Sequence, residues 1–275
     1  PPGLKISSDP AVGARAELVL FSVPSSVLTE VATQAAPHIR PGAIIVNTAK
    51  GFLPGRHQRL SEMLRELLPG HEVVTLSGPS HAEEVGRELV TLVCVAGRDP
   101  AVLNRAQDAF INSYFRVYTN EDQIGVEVGG AVKNIIAVGA GVLAGLGQGD
   151  NAKAALMTRG LTEMKRLGLA LGAQAETFAG LAGMGDMIAT CTSLHSRNYR
   201  AGLAIGSGKL WRQVVAETNM VVEGVYATES TYALARHYQV EMPIVEQMYS
   251  LLYEDRSPQE AMWELMTRRR TDENW

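Results

Sequence analysis

Apolar positions along this chain follow two regimes. Up to about residue 120, unbroken apolar runs of strand length alternate with segments of helical spacing. The runs are "AELVLFSV" (16–23), "GAIIVNTAKG" (42–51), "EVVTLSGPS" (72–80), "LVTLVCVAG" (89–97) and the shorter "FRVYT" (115–119). Between them, 27–39, 59–68 and 99–110 repeat apolar residues every three to four positions. Pro69-Gly70 closes the second of these helices, and Asp99-Pro100 opens the third. Strands apolar at every position predict a parallel sheet covered on both faces, a doubly wound α/β arrangement. Beyond residue 120 only the helical period remains, over 123–145, 151–171, 184–191, 197–205, 222–237, 243–254 and 257–270. The pattern divides the chain into an α/β domain over 1–120 and an all-α domain over 121–275, with the loops at 172–183 and 206–220 expected to border a cleft.

Composition narrows the class. The chain has 275 residues, of which 46% are hydrophobic and 20% charged, enough for one large or two ordinary cores. A net charge of −4 makes a nucleic-acid-binding surface a poor expectation, and the basic run "TRRRT" (267–271) reads as the end of a helix. Cys94 and Cys191 belong to no disulfide or metal framework, which predicts a reducing, cytoplasmic compartment. The histidines at 38, 57, 71, 81, 195 and 237 lack zinc-site spacing, so no metal is expected. The apolar run Ile135 to Gly147, about 13 residues, reads as too short for a membrane span, and no secretory signal is visible.

Candidate chemistry gathers at strand ends and helix starts. "SVPSS" (22–26), "NTAKG" (47–51) and "SGPSHAEE" (77–84) follow strands and mix Pro, Gly, Ser and Lys where backbone approaches a ligand in a doubly wound sheet. In "GVEVGGAVKN" (125–134), glycine and lysine interrupt a helical apolar run. Lys133 reads either as a side chain that reaches outward or as a buried functional group facing a groove of small residues. Asp186, after three glycines in "AGLAGMGD", reads as a helix cap or as a carboxylate in the site. Ser196-Arg197-Asn198 at a helix start suits a phosphate, and equally a capped helix with an exposed arginine. Glu223 at a helix start says little alone. A Gly-x-Gly-x-x-Gly turn after a strand is not found, since "GLGQGD" (145–150) follows a helix and reads as its terminating turn.

Taken in order, "NTAKG", "LSGPSHAEEV", "YTNEDQIGVEVGGAVKNIIAVGAGV", "GLGQGDNAKAALMTRGLTEM", "TFAGLAGMGDMIATCTSLHSRN" and "VVEGVYAT" resemble the bacterial type of NAD(P)-dependent glycerol-3-phosphate dehydrogenase, from about residue 16 to about 268. The resemblance implies a Rossmann-like N-terminal domain, a helical C-terminal domain, and a catalytic cleft between them. The family's first strand, glycine loop and first helix are expected to lie ahead of residue 1. It implies reduction of dihydroxyacetone phosphate to sn-glycerol 3-phosphate with NADH or NADPH, for phospholipid synthesis, by a homodimer. By similarity Lys133 is the catalytic proton donor and acceptor. Lys50 touches substrate and cofactor, and Gly78, Ser80, Asp186, Ser196, Arg197 and Asn198 bind substrate, with Arg197 also reaching the cofactor. Ala82, Val221 and Glu223 complete the cofactor contacts. Burial and the nearby Lys50 cation are expected to lower the Lys133 pKa, with Asp186 opposing them, and the glycines are expected to admit the nicotinamide and the facing domain. Two other readings stay open: a related dehydrogenase of another hydroxy or keto substrate, and a truncated, non-catalytic paralogue.

Overall fold

The structure, a computed structural model, describes residues 3–53, 55–218, 221–270 and 272–273. The first part carries strands β1 (Leu18–Phe21), β2 (Ile44–Asn47), β3 (Phe52–Leu53), β4 (Gln58–Arg59), β5 (Val73–Ser77), β6 (Thr91–Ala96) and β7 (Phe115–Asn120). Its helices are α1 (Leu28–Ala35), α2 (Leu60–Leu67), α3 (Ala82–Val85) and α4 (Pro100–Phe110). The second part is helical: α5 (Gln123–Gly145), α6 (Asp150–Ala170), α7 (Asp186–Thr192), α8 (Arg197–Gly206), α9 (Trp211–Glu217), α10 (Glu223–His237), α11 (Pro243–Tyr253) and α12 (Pro258–Met266).

The main sheet has the order β1-β2-β5-β6-β7. One face packs Phe21, Ile45 and Val73 against Leu28, Leu60 and Leu64 of α1 and α2. The other packs Ile44, Val46, Val74 and Val95 against Leu103 and Ala106 of α4. Burial on both faces is what unbroken apolar runs predict. The expected all-parallel sheet needs correction, because β5 and β6 pair antiparallel, with Leu76 opposite Val95. The chain between them holds only the four-residue α3. A parallel return needs a helix long enough to cross back over the strand, roughly ten residues or more. Apolar patterning reports burial, which is the same for either strand direction.

Helix α5 runs through the centre of the helical part. It spans 23 residues and is apolar enough to cross a membrane by length and composition, although 83% of that window is buried inside the protein. The apolar run reads as too short when counted from Ile135, after Lys133 and Asn134, but both of those residues are themselves buried here. The α5 glycines serve contacts between elements. A Cβ on Gly141 would lie 2.1 Å from the Tyr199 carbonyl oxygen, and one on Gly202 would lie 2.0 Å from that of Val138, so α5 and α8 touch backbone to backbone. Of the α5 glycines, only Gly130 faces the sheet domain, toward Ser77 and Lys50.

The segments expected to be loops are partly ordered. Ala175–Ala179 is a 3-10 helix, Leu181–Gly185 makes a π-helical turn into α7, and α9 occupies much of 206–220. Phe178 and Ala182 are buried, and Trp211, Val214 and Val215 pack on the core around α5. These segments are held down by apolar burial, and none of the described residues of 172–183 or 206–220 lines the cleft described next.

Candidate active site

The carboxyl ends of β1, β2 and β5 open into a cleft of about 670 Å³ between the sheet and the helices. Lys50, Ser80, Ala82, Lys133, Ser196, Arg197, Asn198, Val221 and Glu223, all singled out in the sequence, line it. Gly78 and Asp186 lie behind this lining and hold the residues that form it. Gly78 leaves β5 at φ +142, and a Cβ there would come within 2.9 Å of Val93 Cα, so the position requires glycine. Its carbonyl accepts Lys50 Nζ at 3.2 Å and Ser80 Oγ at 3.0 Å.

Two lysines share one carboxylate at the floor of the cleft. Lys133 Nζ donates to Asp186 Oδ1 at 2.6 Å and to Thr190 Oγ1 at 2.7 Å. Lys50 Nζ donates to Asp186 Oδ2 at 2.6 Å. Lys133 is 5% exposed and Asp186 2% exposed, so neither is a solvated surface charge. The outward-reaching reading of Lys133 therefore fails. So does the cap reading of Asp186, which is the first residue of α7 and makes no side-chain cap bond. Burial pulls the Lys133 ammonium down from 10.5 to about 8; Asp186 opposes this and Lys50 reinforces it. Burial raises the Asp186 carboxyl, but the two lysines outweigh that and hold it below its ordinary value.

Thr190 is a member of the cluster that the sequence motifs do not single out. It lies one turn after Asp186 on α7, donates to the Asp186 carbonyl at 2.6 Å, and accepts from Lys133. The i, i+4 spacing from Asp186 is its only sequence signal.

The helix starts behave in different ways. Ser196 Oγ accepts the Tyr199 N–H at 3.1 Å and caps α8, in line with the simpler sequence reading. Asn198 is bound at both ends of its amide: Nδ2 donates to Asn134 Oδ1 and Oδ1 accepts the Gly224 N–H, each at 2.9 Å. It ties α5, α8 and α10 together. Arg197 stands at the rim and makes no hydrogen bond or ion pair among the described residues. The rings of His81 and His195 lie near it, 6.1 Å apart between centroids. Across the cleft, the Glu223 carboxylate accepts Ser25 N at 3.1 Å and Ser25 Oγ at 2.6 Å, a link between the two parts of the chain.

Residues 1–103 match the family profile described as NAD-dependent glycerol-3-phosphate dehydrogenase N-terminus, and 122–263 match that of the C-terminus. The glycerol-3-phosphate dehydrogenase (NAD(P)+) of Desulfitobacterium hafniense is 53% identical over 98% of this chain and 76% of its own length. The protein of the same name from Enterococcus faecalis is 49% identical over 94% of this chain and 77% of its own. Among solved structures, the glycerol-3-phosphate dehydrogenase of Coxiella burnetii superposes with a TM-score of 0.91 at 40% identity, covering 94% of this chain and 79% of that one.

Proposed function

This chain belongs to the NAD-dependent glycerol-3-phosphate dehydrogenase family, and from that membership we infer an oxidoreductase that interconverts dihydroxyacetone phosphate and sn-glycerol 3-phosphate with NAD(P)H. The observation that carries the chemistry is the Lys133–Asp186–Lys50 cluster at the floor of the cleft. Relatives at about half identity support this reading over a dehydrogenase of another keto substrate or a silent paralogue. The cleft suits a dinucleotide: it lies beyond the carboxyl ends of the strands, and the buried Ser77 Oγ on its wall has no protein partner among the described residues. Lys50, Ala82, Arg197, Val221 and Glu223 would hold the cofactor there.

The reduced nicotinamide, when bound, supplies the hydride for the substrate's ketone carbon. Negative charge then grows on the ketone oxygen. Lys133 is placed to stabilise that charge and to deliver the proton, because its nitrogen is charged, desolvated and near neutral pKa. In the reverse direction the neutral amine takes the proton from the secondary hydroxyl. Asp186 keeps Lys133 oriented and charged, and Lys50 keeps its pKa from climbing to the ordinary lysine range. Lys50, Gly78 and Ser80 border the place where the triose would lie, and Ser196 and Asn198 shape its phosphate end. Arg197, free of protein partners among the described residues, is proposed to read the phosphate with its planar fork.

The test is oxidation of NADH or NADPH in the presence of dihydroxyacetone phosphate, followed by loss of reduced-cofactor absorbance. Substrate-dependent loss is expected; none with either cofactor, from folded protein, would overturn the assignment. Arg197→Ala is expected to raise the KM for dihydroxyacetone phosphate roughly 10- to 100-fold, the worth of a charge-assisted contact, with kcat within about threefold. An unchanged KM in steady-state kinetics would remove Arg197 from the phosphate site.

We also assign residues 1–120 to the dinucleotide-binding domain and 121–275 to the substrate and catalytic domain. The separate family matches to 1–103 and 122–263 support that division. A homodimer, proposed from the family resemblance, is tested by sedimentation velocity. A cytoplasmic location is proposed from the two buried, unpaired cysteines.

A further inference from the structure

Lys133 and Lys50 meet at one carboxylate, yet they stand on different parts of the chain. Lys133 is on α5 and Lys50 follows β2. Their separation is set by how α5 is seated on the sheet domain. One stripe of α5 does the seating: Gln123, Glu127 and Gly130 recur at i, i+4 and i+7 and face the sheet. Gln123 Nε2 donates to the Val73 carbonyl at 3.0 Å and to Thr75 Oγ1 at 3.1 Å. At the far end, a Cβ on Gly130 would lie 3.2 Å from Ser77 Oγ and 3.3 Å from Lys50 Cγ. The stripe thus runs along β5 from Val73 to Ser77 and ends against Lys50.

Between those ends sits a buried ion pair. The Glu127 carboxylate accepts Ser61 N at 2.9 Å, Ser61 Oγ at 2.7 Å and Arg59 Nη1 at 2.7 Å. Glu127 is 5% exposed and Arg59 7% exposed. Arg59 is also held by Glu62, and Arg65 by Gln123, so the start of α2 and the start of α5 interlock. Glu127 does not line the cleft. A buried pair of this kind adds little to stability over apolar side chains of equal size, but it fixes position through directed bonds. Apolar contacts alone permit a helix to slide.

We propose that Glu127 is a positioning residue for the reaction: its carboxylate fixes the height and roll of α5 on the sheet domain and so sets the distance between Lys133 and Lys50 at Asp186. A slip of one residue along α5 is about 1.5 Å, enough to break contacts of hydrogen-bond length. This inference rests on the reading of Lys133 as the proton donor.

The experiment is Glu127→Gln in the full chain, followed by kcat and its pH dependence in the reductive direction. The amide keeps the shape and leaves Arg59 without its buried counter-charge. Turnover is expected to fall about 10- to 100-fold, the cost of a misplacement near 1 Å. The groups facing Lys133 are Asp186, Lys50 and Cys191. With Lys50 displaced, the fall-off near pH 8 is expected to move upward by about half a unit or more. Glu127→Asp, which keeps the charge, is expected to recover part of both. A folded Glu127→Gln enzyme with a lower Tm but parental kcat and pH profile would reduce Glu127 to a structural role and overturn the proposal. Should Glu127→Gln not fold, Ser61→Ala decides: about a threefold loss with the same upward shift supports it, and no change overturns it. A parent enzyme with no fall-off near pH 8 would instead sink the reading of Lys133, and this inference with it.

Discussion

Lys133→Met is expected to lower turnover by roughly three to four orders of magnitude while leaving cofactor affinity within a few-fold. Methionine fills the same buried volume at the cleft floor but supplies neither charge nor proton. The loss has two sources: the ammonium that stabilises charge on the ketone oxygen, and the proton that quenches it. The pH profile separates this from a packing defect. With the folded-state Lys133 pKa at about 8, the ammonium dominates below that pH, so reduction runs level there and declines above it. Oxidation of glycerol 3-phosphate needs the amine, so it rises toward pH 8 and levels above. In the Lys133→Met enzyme both limbs are expected to vanish, leaving a low, flat rate. Single-turnover kinetics with saturating cofactor is the measurement, and a loss below about tenfold would take the proton-transfer role from Lys133.

Features set by neighbours in the chain are legible in the sequence. Asp122 caps α5 at Gly125 N, and the apolar pattern locates Gln123–Gly145 at both ends. Lys50, Lys133, Asp186 and Arg197 stand out because charge in an apolar or glycine-rich setting is costly, and three of them share one cluster. Features set by partners distant in the chain are not legible. Arg59 and Glu127 lie 68 residues apart, and Ser25 and Glu223 lie 198 apart. Neither periodicity nor composition records such a pairing, and each residue alone reads as an ordinary helix-start charge or turn serine. The β3/β4 hairpin escapes for another reason. Each strand is two residues long, below the length at which alternation is visible. Asp186 lies between these cases: its place after three glycines fits a cap as well as a site. Only the two lysine nitrogens at 2.6 Å decide between them.

That shared carboxylate leads to the second large effect. Asp186→Asn removes the countercharge between two lysines while preserving shape and one acceptor. Burial and Lys50 both lower the Lys133 pKa, and Asp186 is the main group opposing them. Without it, the pKa is expected to fall further, so that Lys133 is largely neutral at pH 7 and cannot serve as the acid. Reduction at pH 7 is then expected to drop roughly 100- to 1,000-fold. The fall-off moves below pH 8, and part of the lost rate returns on acidification. Stability follows the same electrostatics, since breaking a buried ion pair by deleting one partner costs about 3 to 5 kcal/mol. Lys50→Met makes the complementary change. It removes the cation that presses on Lys133, so the fall-off moves upward while Asp186 keeps one partner. Opposite displacements of the two profiles would identify Asp186 and Lys50 as the pair that tunes Lys133. An Asp186→Asn enzyme whose profile stays in place or moves upward would show that Asp186 orients the lysine without governing its protonation.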